Sequence, residues 1–176
     1  MRRSPLIFRR FFQGVMLWAC LQLPVFAHPH IFIDGSVQLI FNAQGQIVSL
    51  KQSWIFDELF AAYALQGLTR SKSGDVAKEE LDKITNEWMT ALADPESHFF
   101  TQAMQGSTKF SFGSAKDAAT TWDPKAGQLT LSFELPFASP ITPGKQAVEV
   151  DIYDSSYFVS FAYKGSSSYR LDGAPR

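Results

Sequence analysis

Two segments near the beginning of the chain alternate apolar and polar residues with the period of a β-strand. Residues 42–45, with the letters NAQG, separate them and supply an Asn and a Gly for a short turn. One face of the two segments, residues 30–41 and 48–56, carries Val37, Leu39, Phe41, Val48, Leu50, Gln52, Trp54 and Phe56. Two alternating runs joined by such a turn predict an antiparallel β-hairpin.

The hydrophobic period changes after Phe56, where apolar residues recur at spacings of three and four. Residues 57–68 predict a first amphipathic helix. Asp57 and Glu58 lie at its N-terminal end, where the helix dipole favours negative charge. A second helix is predicted over about residues 76–92, and the letters ADPES that follow end it. We therefore expect a helical hairpin directly after the β-hairpin.

The second half of the chain returns to a period of two. Five further strands are predicted, at residues 98–106, 108–113, 128–135, 146–153 and 157–163. Strands before and after a helical pair, without long linkers or repeats, predict one α+β domain. We expect an antiparallel sheet or small sandwich with the helical hairpin inserted. The predicted domain spans residues 28–165, and a loose C-terminal tail follows at residues 166–176.

The link between the two predicted helices fits the twelve-residue frame of an EF-hand calcium loop. Gly74 occupies the sharp-turn position of residues 69–80, and Glu80 occupies the final position, where a bidentate carboxylate belongs. Hydroxyl side chains stand at the early ligand positions, Thr69, Ser71 and Ser73. Calcium needs several anionic oxygens, so we interpret this loop as a degenerate EF-hand that does not bind calcium.

The first 27 residues do not fit the pattern of the domain and are typical of a secretory signal peptide. Four arginines precede an apolar run from Phe11 to Leu23, and small residues lead up to Ala27. This run is shorter than the ~18 residues expected of a membrane span. We predict cleavage after Ala27, a periplasmic location and the loss of Cys20, the one cysteine of the chain.

Removal of the signal peptide changes the charge of the protein and the chemistry available to it. The chain carries 16 basic and 17 acidic residues, and the loss of four arginines leaves 12 basic residues and a net charge of about −5. Such an acidic protein is not expected to bind nucleic acid. Without a thiol, any metal site must use nitrogen and oxygen ligands. We expect the mature domain to be soluble.

The predicted mature chain begins with His28-Pro29-His30, a pattern that favours metal binding. The α-amine and ring Nδ1 of His28 can chelate one ion, and an amine with a pKa of about 8 yields its proton readily. In an extended chain His30 lies on the same side, about 7 Å away. Pro29 has no amide proton, which blocks the square-planar mode that uses backbone amides. The remaining arrangement resembles the histidine brace of some copper proteins.

Other residues are candidates to complete this site. His98 joins it if its strand runs beside the N-terminus, and Asp57 and Glu58 follow the second predicted strand. Imidazole suits nickel, cobalt, zinc and copper alike, so the ligands predict a divalent transition metal without selecting one.

Several motifs together resemble one bacterial family, called domain of unknown function 1007. They are HPHIFID after the signal peptide, WIFDELF at 54–60, the loop ending in EEL, HFFT at 98–101, LSFELPF at 131–137 and DIYDSSYFVSF at 151–161. Members are often described as ABC transporter substrate-binding proteins, and their genes often lie beside nickel/cobalt-type permeases. The resemblance implies transition-metal handling with an inner-membrane metal permease as partner. It also marks Asp57, Glu58, Tyr153, Asp154 and Tyr157 as motif residues, of which Asp57, Glu58 and Asp154 form an additional candidate site.

The leading hypothesis is a periplasmic, non-enzymatic protein that binds a transition metal through His28, His30 and His98 and serves a permease. One alternative is a metal-free module that docks a membrane partner through aromatic residues such as Trp54, Tyr153 and Tyr157. Another is a copper redox enzyme built on the histidine brace. The sequence contains no recognisable nucleophile–base pair or phosphate-binding loop, so we expect no enzymatic activity.

Overall fold

The computed structural model describes residues 30–175, so the predicted signal peptide and His28 lie outside the described residues. The elements are β1 (Ile31–Phe41), β2 (Ile47–Phe56), α1 (Glu58–Ala64), α2 (Lys78–Leu92), β3 (Thr101–Gln105), β4 (Thr108–Lys109), β5 (Lys116–Asp123), β6 (Gln128–Ile141), β7 (Val148–Ile152), β8 (Val159–Ala162) and β9 (Tyr169–Asp172). The predicted α+β class is confirmed. In this part of the chain, no helix is long and apolar enough to cross a bilayer.

The N-terminal β-hairpin is present as β1 and β2. Leu39 pairs with Leu50 and Gly35 with Trp54, in antiparallel register. The turn is stabilised by Asn42, whose side-chain oxygen accepts hydrogen bonds from the backbone N–H groups of Gln44 and Gln46 at 3.0 and 2.9 Å. The Asn in the predicted turn therefore organises the link between the two strands.

The larger sheet has the strand order β5-β6-β2-β1-β8, and β9 also pairs with β1. The prediction of an antiparallel sheet is wrong at this edge, because β8 and β9 both run parallel to β1. The two short strands occupy successive stretches of one edge, and a 3-10 turn at Ser166–Ser168 separates them. Residues 169–172 therefore belong to the sheet, and the predicted loose tail does not hold for them.

A three-stranded antiparallel sheet, in the order β4-β3-β7, forms a second layer together with the helices. Two hydrophobic clusters lie between the layers. Both are built on the inward face of the larger sheet, one beneath the helices and one beneath the smaller sheet. The largest apolar side chains that are fully buried are Leu50, Trp54, Leu65, Leu129, Leu131, Phe133 and Leu135.

Both predicted helices are present, but the hairpin resembling an EF-hand is not confirmed. The loop between the helices is closed by a β-bridge between Arg70 and Val76, and the hydroxyls of Ser71 and Ser73 bond to the Asp75 carboxylate. Glu80 accepts a hydrogen bond from Lys83 at 2.9 Å. The polar side chains of the loop therefore satisfy one another or their neighbours.

The second helix is attached to the sheet through a buried hydroxyl. The backbone N–H of Thr120 in β5 donates to the hydroxyl oxygen of Thr85 in α2 at 2.9 Å. This contact fixes the height of α2 along the sheet. It therefore also fixes where the chain leaves the helix toward His98.

Candidate functional site

His30 lies at the exposed beginning of β1, beside the beginning of β8. Its backbone N–H donates to the carbonyl of Phe158 at 2.8 Å, and its ring lies 5.0 Å from the Phe158 ring. The backbone of His30 is therefore held against β8 while its imidazole faces solvent. His28, its predicted partner in metal binding, lies outside the described residues.

Asp57 lies between β2 and the first helix and links β1 to that helix by hydrogen bonds. Its carboxylate accepts hydrogen bonds from the backbone N–H groups of Phe32 at 2.8 Å and Phe60 at 2.9 Å. The second of these bonds makes Asp57 the N-cap of α1. Both carboxylate oxygens therefore have a structural partner, while Glu58 lies exposed in the first turn of the helix.

Asp154 organises the loop between β7 and β8. Its buried carboxylate accepts hydrogen bonds from the hydroxyl and N–H of Ser156 and from the N–H groups of Phe158 and Val159. Burial raises the pKa of Asp154, but these hydrogen bonds outweigh burial and hold the pKa below its usual value. The carboxylate is thus held ionised by the loop that it shapes.

Exposed aromatic residues lie near His30, two of them in this loop and one, Phe32, at the beginning of β1. Phe32, Tyr157 and Phe158 are each at least half exposed to solvent, and Tyr157 has a positive φ of 59°. Trp54, which the sequence suggested as a docking aromatic, is buried in the core with 1% exposure. Trp54 therefore cannot contact a partner, because it lies on the inward face of β2 against Phe133.

His98 lies in a strained turn, where a strand was predicted. His98, Phe99 and Phe100 have φ values of 44°, 53° and 51°, so three successive bulky residues adopt the left-handed conformation. Each costs about 1–2 kcal/mol relative to a right-handed residue. Strand β3 begins only at Thr101. The strand predicted over residues 98–106 is confirmed where β3 lies. The prediction is wrong for residues 98–100, which form the turn.

Packing and hydrogen bonding hold this turn. The ring of Phe99 lies 5.6 Å from that of Phe133, and the ring of Phe100 lies 5.7 Å from that of Phe161. The Thr101 hydroxyl donates to the carbonyl of Phe99 at 2.7 Å. Strain persists where the surroundings determine the conformation in this way. No Gly or Asn signals a left-handed turn here, so the sequence pattern missed it.

The turn forms one wall of a cleft of about 940 Å³. The opposite wall is the segment Phe110–Ala115, and Tyr153 and Asp154 line the cleft from the next loop. Its size is within the range of ligand-binding pockets. No local pattern in the sequence marks this cleft, because its walls come from three separate stretches of chain.

The loop between β7 and β8 lies between the predicted histidine ligands. One end meets the turn of His98, where the Tyr153 N–H donates to the Phe100 carbonyl, and the other end meets His30 through Phe158. Among residues 30–175, no three His, Cys, Asp or Glu side chains are grouped so as to hold a metal ion. The described contacts thus place His98 in the cleft and His30 at the N-terminal end of β1.

Comparison with known proteins supports the resemblance noted in the sequence. The family model described as "Protein of unknown function (DUF1007)" matches residues 14–176. A relative from Haemophilus influenzae, described as an uncharacterized protein, is 22% identical over 155 residues, which cover 88% of this chain and 72% of the relative. No solved structure matches the chain.

Proposed function

The chain belongs to this DUF1007 family of proteins of unknown function, and we propose that it binds a divalent transition metal at the N-terminal end of strand β1 in the periplasm and serves an inner-membrane metal permease. The observation that carries the proposal is the position of His30. Its backbone is fixed by Phe158, and its imidazole is exposed beside the point where the chain continues toward His28.

The donor set fits such an ion. His30 supplies one imidazole, and His28 supplies a second imidazole together with its α-amine once cleavage exposes it. Nickel, cobalt, zinc and copper all accept these nitrogen ligands. The bound ion is cargo in this proposal, so exposure at the end of β1 suits both its capture and its transfer. Because Asp57 and Asp154 already accept backbone hydrogen bonds, we assign them the support of β1 and β8, one on each side of His30.

Calorimetric titration of the processed protein, beginning at His28, tests the proposal with nickel, cobalt, zinc and copper in turn. We expect at least one metal to bind with one-to-one stoichiometry. One alanine added before His28 converts the amine to an amide and should weaken that binding at least tenfold. His30→Gln should do the same.

The matched control is His98→Gln, which removes an imidazole from the cleft. Retained affinity in this variant assigns the site to His28 and His30 alone, and a loss of affinity adds His98 to it. Equal affinity with and without the added alanine would refute the role of the terminal amine.

A second candidate function is the docking of a membrane partner without metal. The exposed aromatic residues Phe32, Tyr157 and Phe158 favour it, because aromatic residues are enriched at interaction sites. Absence of metal binding in the same titration, with cross-linking to a membrane protein through position 157, would support this function over the first.

A further inference from the structure

The cleft beside His98 is an opening in a β-ladder. Strands β3 and β4 pair through Met104–Lys109 and Gln105–Thr108, and the Phe110 N–H then donates to the Ala103 carbonyl at 2.9 Å. In the described chain, this is the last backbone hydrogen bond between the two segments. The ladder therefore ends while both segments continue.

Beyond Phe110 the second segment turns to the larger sheet. The Gly113 N–H donates to the Pro136 carbonyl at 2.8 Å, and the Ala138 N–H donates to the Ser111 carbonyl at 2.9 Å. Residues 111 and 113 thus direct their backbone groups toward β6. The segment bonds to β3 with its first half and to β6 with its second half.

The alternation of an antiparallel ladder identifies which backbone groups face the cleft. Because the N–H of Phe110 faces β3, the backbone groups of Phe112, two residues further on, face the same way. Ala103 faces β4, so Thr101 faces that side too, and the continued register would place Thr101 opposite Phe112. The two segments diverge instead, and both residues line the cleft. The Thr101 carbonyl and the N–H and carbonyl of Phe112 thus border the cleft.

The side chains around this opening are largely aromatic. Phe99, Phe110 and Phe112 line it, and the amide of Gln102 donates to the Tyr153 hydroxyl at 3.0 Å near the rim. The phenyl rings offer apolar contacts, and the free backbone edges offer donors and acceptors. An extended polypeptide complements both at once, because its backbone pairs with the edge while alternate side chains meet the rings.

The cleft is also pre-formed. The left-handed turn at His98–Phe100 directs the chain into β3, and the packing of Phe99 on Phe133 holds that wall in place. The opposite wall is held by the bonds to β6. A peptide therefore meets two fixed edges and loses little affinity to reorganisation of the site.

We propose that this cleft binds an extended segment of a partner protein as an added β-strand, which pairs with the Thr101 carbonyl and with the N–H and carbonyl of Phe112, and places apolar side chains against Phe99, Phe110 and Phe112. The site is separate from the proposed metal site at His30, so it operates with or without bound metal.

The test uses a pool of eight-residue peptides in which Thr alternates with an equal mixture of Val, Ile, Leu and Phe. Backbone amide exchange is measured by NMR on the full protein with and without the pool. We expect slower exchange of the Phe112 amide and saturable shifts of residues around the cleft. The same pool, N-methylated at alternate amides, should bind at least tenfold more weakly.

Two variants locate the site. Ser111→Trp and Ser114→Trp each place a large ring in the cleft from an exposed position, and each should weaken binding at least tenfold. Ser107→Trp, in the exposed turn between β3 and β4, is the matched control and should bind as the parent does. Two cleft variants are used so that the site can still be located if one of them does not fold.

The proposal is overturned if the pool produces no protection of the Phe112 amide. It is also overturned if N-methylated and unmodified peptides bind equally, since binding would then not use the backbone edge. Equal binding by the parent and both folded cleft variants would place any peptide site elsewhere.

Discussion

At the scale of single residues, Gly35 and the ring of Tyr163 lie in close contact. A Cβ atom on Gly35 would lie 2.7 Å from the Cζ atom of Tyr163, so only glycine leaves room for this ring over β1. The hydroxyl of Tyr163 is buried without a hydrogen-bond partner. Burial, and then the neighbouring Tyr169, raises the pKa of Tyr163 above its usual value.

Tyr163→Phe should therefore increase the free energy of unfolding by about 1 kcal/mol, because it removes a buried hydroxyl that has no partner and retains the ring. Urea denaturation measures the change. Tyr169→Phe, at an exposed ring stacked on Tyr163, is the control and should have little effect. A loss of stability in Tyr163→Phe would show that the hydroxyl has a partner in solution, such as water.

At the scale of elements, the loop between β7 and β8 depends on one carboxylate. The carboxylate of Asp154 accepts hydrogen bonds from the N–H groups of Ser156, Phe158 and Val159. These bonds replace the ladder hydrogen bonds that a neighbouring strand would supply. This loop positions Phe158 against His30 on one side and Tyr153 against Phe100 on the other. Asp154 consequently supports both the proposed metal site and the cleft.

Asp154→Asn should lower the free energy of unfolding by about 2–3 kcal/mol near neutral pH, because an amide accepts through only one oxygen and leaves N–H groups of the loop unpaired. The pKa of Asp154 in the folded protein lies below the unfolded value of about 3.9. At pH values between these two pKa values, the unfolded chain therefore binds more protons than the folded protein. The stabilisation by Asp154 is complete above the unfolded pKa and is lost as pH falls through the folded pKa.

Urea denaturation at a series of pH values measures this dependence. The difference between the parent and Asp154→Asn should shrink as the solution becomes acidic. Asp151→Asn, at an exposed position of β7, should show no such trend. A difference that stays constant over the whole pH series would contradict an ionised Asp154 in the loop.

At the scale of the whole molecule, a buried polar chain joins the two layers. The indole N–H of Trp54 donates to the side-chain oxygen of Gln52 at 3.0 Å, and the amide of Gln52 donates to the Thr101 hydroxyl at 3.0 Å. Thr101 in turn bonds to the strained turn at Phe99. The larger sheet therefore contacts the wall of the cleft through directional bonds as well as through apolar packing.

Gln52→Leu should lower the free energy of unfolding by about 1–3 kcal/mol, because it leaves the buried Trp54 N–H without a partner. Calorimetric or urea unfolding measures the loss. Gln128→Leu, at an exposed position of β6, is the control and should stay within about 0.5 kcal/mol of the parent. Equal stability of Gln52→Leu and the parent would mean that the chain of hydrogen bonds contributes nothing to the contact between layers.

The sequence by itself determined the α+β class, the N-terminal hairpin, the helical pair and the family. These features depend on local periodicity and short motifs, which act between residues close along the chain. The hairpin of β1 and β2 is an example, because its register follows from the alternation and from the turn at Asn42. The proposed ligands His28 and His30 are likewise neighbours in sequence, which made their pairing visible.

Only the tertiary structure decided how distant segments meet. The parallel pairing of β8 and β9 with β1 has no local signal, because alternation reports which side of a strand is buried and not which strand lies beside it. The left-handed turn at His98–Phe100 likewise has no local signal in the sequence. Its residues favour other conformations, and packing against Phe133 and Phe161 from other strands compensates for the strain. The cleft depends on both facts, since a local pattern cannot reveal where a ladder stops and two of its segments diverge.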